Sequence, residues 1–119
     1  MKELTMTIDG TAVSVDWEEN EAVEALRALA AEAPLSIEMS GYGGFEQVGP
    51  IGARLPRNDA QTTTAAGDLV LYEGSQLVVF YGSNSWAYTR LGHIADKTPQ
   101  ELTALLARSG VTVTLETAK

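Results

Sequence analysis

The chain opens on LTMTI and TAVSV (residues 4–8 and 11–15), two alternations of apolar and polar side chains separated only by Asp9-Gly10. A two-residue link between antiparallel strands needs positive φ at both positions, which Asp-Gly tolerates, so the pattern predicts a β-hairpin on a type I′ turn. A second pair of runs, DLVLY at 68–72 and LVVFY at 77–81, is joined by Glu73-Gly74-Ser75-Gln76 and predicts a second hairpin. Its near-continuous apolarity places it at the centre of the core.

Between the hairpins, Ala22, Val23, Leu26, Leu29 and Ala30 fall near helical spacing, with Asn20 as cap and Pro34 as stop, which predicts a helix over 21–31. LSIEM at 35–39 reads as a strand. SGYGGFEQVGPIG at 40–52 carries five glycines and a proline and is expected to turn rather than pack. GARLP is expected as a short strand and RNDAQTTTAAGD at 57–68 as a loop. Residues 82–94 are expected to begin as a loop and end as a strand over 88–94. Thr98-Pro99-Gln100-Glu101 is a capping box with proline at the first helical position, Leu102, Leu105 and Leu106 give that helix its buried face, and VTVTLE at 111–116 closes the sheet. The order is seven or eight strands and two helices, in one domain over residues 1–119.

Composition narrows the function. The 45% apolar and 20% charged residues are those of a globular chain, and no apolar run approaches the roughly 20 residues of a membrane-spanning helix. MKELTMTIDG has no apolar h-region and no cleavage site, so cytoplasmic residence is expected. The chain has no cysteine, which excludes disulfides, thiolate metal sites and cysteine nucleophiles. Eight basic against sixteen acidic residues, a formal charge of −8, repel phosphate backbones and anionic lipid heads, so neither nucleic acid nor membrane is an expected partner. Asp16, Glu18, Glu19, Glu21, Glu24 and Glu32 read as the solvated face of a helix.

The block at 67–94 carries Gly67-Asp68, Tyr72, Gly74, Phe80-Tyr81-Gly82 and Leu91-Gly92-His93-Ile94 in that order. It resembles the bacterial cyclophilin-like domain families of uncharacterised function, and SGYGGFE at 40–46 and LPRND at 55–59 fit one such family. The resemblance implies a mainly β protein, a closed cyclophilin-like barrel of about eight strands flanked by two α-helices. Cyclophilin-type prolyl isomerases carry Phe-His-Arg and Gln-Gly-Gly-Asp segments and a buried aromatic set. None of these motifs is intact here, and no catalytic arginine is carried over.

The remaining candidates come from residue chemistry. Arg57-Asn58-Asp59 offers a guanidinium for a carboxylate or peptide carbonyl, or a local turn in which Arg57 pairs with its neighbours. Ser83, Asn84, Trp86, Tyr88 and Arg90 combine short polar side chains with flat aromatic area, as recognition surfaces do; alternatively Trp86 plugs the barrel and the polar residues cap a turn. His93 is a candidate general base by residue type, but no acid is obviously placed to orient it and no serine elbow is present. With one histidine and no cysteine, no metal or cofactor is expected, and no nucleotide-binding glycine motif is present. Tyr42 and Phe45, on a flexible Gly-Gly backbone, form either the lip of a groove or a minor core.

The reading that follows is a non-enzymatic binding module with a groove of Tyr42, Phe45, Arg57, Asn58, Ser83, Asn84, Trp86, Tyr88, Arg90 and His93, taking a peptide segment or a small organic anion. Prolyl isomerisation is the alternative, by analogy of fold alone, and amide hydrolysis through His93 the weaker one.

Overall fold

The computed structural model describes residues 3–117. The first hairpin forms as expected: β1 (Leu4–Ile8) pairs with β2 (Thr11–Val13), Ile8 faces Thr11, and the turn has φ 48° at Asp9 and 83° at Gly10. The second strand of this hairpin then breaks at Ser14, and β3 (Val15–Trp17) leaves β1 for another partner. Helix α1 (Glu21–Glu32) is capped by Asn20, whose side-chain oxygen accepts from the Val23 amide, and buries Ala22, Val23, Leu26 and Ala30. Of the six acidic residues read as one helix face, Glu21, Glu24 and Glu32 lie on α1, while Asp16 lies in β3 and Glu18 and Glu19 follow it; all six are exposed.

The glycine-rich stretch does pack, contrary to its composition. β4 runs on to Tyr42 (Leu35–Tyr42), the chain turns through Gly43 and Gly44, and β5 (Glu46–Pro50) returns along it. Both glycines have positive φ, and a Cβ on Gly43 would stand 2.1 Å from the Phe45 ring, so the glycines shape a tight hairpin under an aromatic lid. GARLP forms no strand. The Ile51 and Leu55 amides donate instead to Ser75 and Gly74 carbonyls, and both side chains are buried. The expected loop at 57–68 contains β6 (Ala60–Thr63), because its threonines have an open strand edge to pair with.

β7 (Asp68–Tyr72) and β8 (Gln76–Phe80) form the second hairpin, and β9 (Ser85–Ile94) begins three residues earlier than expected, its first half paired with β6. The capping box of α2 (Pro99–Leu106) is present on both sides, and β10 (Gly110–Thr117) pairs with β1 and β4.

Hydrogen bonds link nine strands in the order β2-β1-β10-β4-β5-β8-β7-β9-β3, with β6 attached to β9. The two ends of this path, β2 and β3, are consecutive in the chain, so one bent segment nearly closes an antiparallel barrel. Ser14 sits at the bend; its amide donates to Asp96 and its carbonyl accepts from Ala95. The expected barrel is therefore borne out, with nine strands around it.

The β7–β8 hairpin is buried on both faces because it lies between two clusters. Leu69, Leu71, Leu77 and Val79 join the main core with both helices, while Val70, Val78 and Phe80 point the other way and pack with Tyr88 beneath Phe45, Val48 and Tyr72. This second, smaller cluster is the floor of the site.

Candidate functional site

A groove of about 810 Å³ lies on the smaller cluster. Its walls come from strands that are successive neighbours in the sheet: Tyr42 from β4, Glu46 and Val48 from β5, Gln76 from β8, Tyr72 from β7, and Trp86 and Tyr88 from β9. Four interstrand steps separate the first from the last, about 19 Å along the sheet. Tyr42 and Trp86, the large apolar side chains left exposed at 64% and 57%, stand at the two ends. Trp86 therefore faces solvent and does not plug the barrel.

The aromatic rings hold one another in place. Phe45 stacks on Phe80 with centroids 6.4 Å apart and receives Tyr42 edge-on at 6.1 Å; Tyr88 meets Phe80 at 5.7 Å and Tyr72 at 6.2 Å, both edge-on. Asn84 Nδ2 donates to the Tyr88 hydroxyl at 2.9 Å. Burial raises Tyr88 above the ordinary phenol value against that hydrogen bond, with Glu46 and Tyr72 adding to the rise.

One charged group lines the groove. Glu46 is 6% exposed and neither hydrogen-bonds nor forms an ion pair through its side chain with any of the described residues. Burial pushes its carboxyl from 4.5 up to about 7.

The family model described as the cyclophilin-like family matches residues 6–116. The chain belongs to the cyclophilin-like family. Among solved structures, the cyclophilin-like domain is similar to a hypothetical protein of Archaeoglobus fulgidus determined in solution, with a TM-score of 0.62 and 18% identity over 97% of this chain and 93% of that one. That likeness concerns the fold. No curated protein matches the sequence.

In this cyclophilin-like domain the ten residues expected around one groove are divided. Tyr42, Phe45, Asn84, Trp86 and Tyr88 line the aromatic groove. Arg57, Asn58 and Arg90 line a second concavity of about 700 Å³, beside Pro56 and Glu19, which reaches the aromatic groove only through Tyr88. Ser83 donates to the Thr64 carbonyl at 2.6 Å and serves the turn before β9. His93 is half-exposed beyond Arg90 on the same strand.

Both arginines are engaged. Arg57 pairs with Asp59, as the local-turn alternative expected, and Asp59 also accepts from Thr89 Oγ1 at 2.6 Å, while the Asn58 amide donates to that same hydroxyl at 2.8 Å. Burial alone would raise Asp59, but the hydrogen bonds from Thr89 and Arg57 and the guanidinium charge hold it below the usual carboxylate range. Arg90 lies 3.1 Å from Asp68 Oδ1, and His93 Nδ1 lies 2.8 Å from the same oxygen. An acid does therefore orient His93, contrary to the sequence expectation. Asp68 faces His93 in the β7–β9 ladder, and a bulge at Leu69/Val70 shifts the register so that Val70 faces Arg90. Side chains three apart on a strand ordinarily point to opposite faces; the bulge puts both on the face of Asp68.

Sequence reasoning missed Glu46, Val48, Tyr72 and Gln76 as lining residues. The usable signal for the first two was the alternation Glu46-Gln47-Val48-Gly49, hidden by the surrounding glycines. Among the described residues no three His, Asp or Glu side chains gather as a metal site, and no helix is long and apolar enough to cross a membrane.

Proposed function

We propose that this cyclophilin-like domain is a non-enzymatic binding module whose aromatic groove takes an extended peptide segment. The observation that carries the reading is the exposure of Tyr42 and Trp86 at opposite ends of a floor made by Tyr72 and Tyr88. Rigid aromatic side chains supply contact area at small entropic cost. A span of about 19 Å accommodates about six residues of extended chain at roughly 3.3 Å each. Tyr88 accepts from Asn84, which leaves its own proton for a ligand carbonyl, and Gln76 adds a donor and an acceptor at the wall. The organic-anion reading has less support, because Arg57 and Arg90 stand outside this groove and each is held by an aspartate.

The test is an NMR titration of labelled protein with a capped Ala-Ala-Lys-Ala-Pro-Ala peptide, following protein shifts and cis/trans exchange of the peptide together. Shifts at Tyr42, Phe45, Trp86 and Tyr88 without faster exchange are expected. Faster exchange would make the domain an isomerase, and no shifts in the groove at millimolar peptide would remove the binding reading.

A further inference from the structure

The aromatic walls and the lone acid of the groove have a joint consequence for its ligand. Five rings, those of Tyr42, Phe45, Tyr72, Trp86 and Tyr88, line the same groove as one carboxyl group, and no arginine, lysine or histidine is among the lining residues. Aromatic faces carry negative quadrupole density, and the carboxyl adds a negative charge when it ionises, so the groove favours a cation.

Glu46 is the second, independent observation. It is more than nine-tenths buried and lines the groove, and its side chain has no partner among the described residues. A carboxylate in that position costs free energy, and a positive group beside it offsets that cost. Gln47, its neighbour, points to the other face and donates to the Leu106 and Arg108 carbonyls at the end of α2, so the buried acid is not shared with the helix. In the flanking strands Glu46 is paired with Tyr42 of β4 and Phe80 of β8, and Tyr88 of β9 lies within reach of its charge.

We propose that the groove is a cation site for an alkylammonium side chain of the bound peptide, such as a methylated lysine, with Glu46 as its counter-ion and Tyr42, its cross-strand partner, and Tyr88 as ring faces. This rests on the peptide-binding reading above and gives its ligand a charge and a shape. Methylated nitrogen suits the site better than a bare ammonium, because it is more weakly hydrated and gains apolar contact with the rings while keeping its charge.

The test compares three forms of one capped hexapeptide with the full chain: lysine, trimethyllysine, and the neutral isostere in which a tert-butyl carbon replaces the trimethylated nitrogen. Affinity is read from amide shifts. Trimethyllysine should bind at least about fivefold more tightly than its neutral isostere. Glu46→Gln should remove most of that preference while the neutral peptide still binds, and Trp86→Ala, at an exposed position, should weaken all three. Lowering the pH from 8 to 6 should weaken the charged peptide and spare the neutral one, as Glu46 takes up its proton. Equal affinity for the charged and neutral forms would overturn the cation site and leave the peptide groove standing. Binding of none of the three at Tyr42, Phe45, Trp86 and Tyr88 would overturn both. Tetramethylammonium binding as tightly as the trimethyllysine peptide would refute the assignment to a peptide side chain.

Discussion

Replacing Glu46 by glutamine should stabilise the protein above about pH 4.5, by an amount that grows up to about pH 7 and is constant beyond it. In the unfolded chain this group titrates near 4.5, and in the fold burial raises it to about 7. Between those values the folded protein holds a proton that the unfolded chain has released. The protonated group's contribution is therefore whole below pH 4.5 and is lost as pH rises through about 7. A displacement of that size corresponds to about 3 kcal/mol at most. The carboxyl borders a groove open to water, which screens it, and about 1–2 kcal/mol is the expected effect. Glutamine has nearly the same shape and stays neutral at every pH. Urea denaturation of both proteins at pH 4.5 and pH 8 isolates the effect, since other titrating groups cancel in the difference. Glu46→Gln should match the parent at pH 4.5 within about 0.5 kcal/mol and exceed it by about 1–2 kcal/mol at pH 8. A difference that is the same at both pH values would refute the claim that Glu46 is held protonated by burial.

Gly49→Ala should cost about 2–3 kcal/mol in the same assay, because the new Cβ would stand 2.4 Å from the Glu38 carbonyl oxygen across the β4–β5 pair; a loss under 0.5 kcal/mol would contradict the close approach. Thr98→Ala removes the oxygen that accepts from the Glu101 amide at 3.2 Å and should lower stability by about 1 kcal/mol, which thermal unfolding would register as a fall of a few degrees. Arg57→Ala should leave peptide affinity in the aromatic groove unchanged within about twofold, since its ion pair with Asp59 lies at the other concavity; a tenfold loss in the titration would return Arg57 to the binding site.

Local chemistry made much of the fold legible. Asp9-Gly10 sets its turn through its own backbone angles, and Asn20 and Thr98-Pro99-Gln100-Glu101 bond within a few residues of themselves, so turn and cap could be read directly from spacing. The expectations failed where a segment takes its conformation from a distant partner. β5 lies among glycines that suggest only turning, yet it is held by β8 from Glu46↔Phe80 to Pro50↔Gln76. β6 is polar and small, yet β9 offers it an edge from Tyr88 to Ser85. The expected GARLP strand has no ladder, and its Leu55 amide reaches the Gly74 carbonyl in the β7–β8 turn instead.

The candidate site divides on the same line. The sequence by itself determined the aromatic inventory, because side-chain chemistry needs no fold to be read, and Tyr42, Phe45, Asn84, Trp86 and Tyr88 do converge. It also determined most of the strands and both helices, because alternation, turns and caps are periodic and local, while the closed barrel was what the family resemblance implied. Only the tertiary structure decided that Arg57 and Arg90 stand apart from those rings and that Asp68 holds both Arg90 and His93. It alone placed a buried Glu46, with no side-chain partner among the described residues, in the aromatic groove. A bulge between strands 20 residues apart set the first of these arrangements, and the pairing of β5 with β8 set the second. Which face a side chain takes depends on register, and register is fixed by partners that lie far away in the chain.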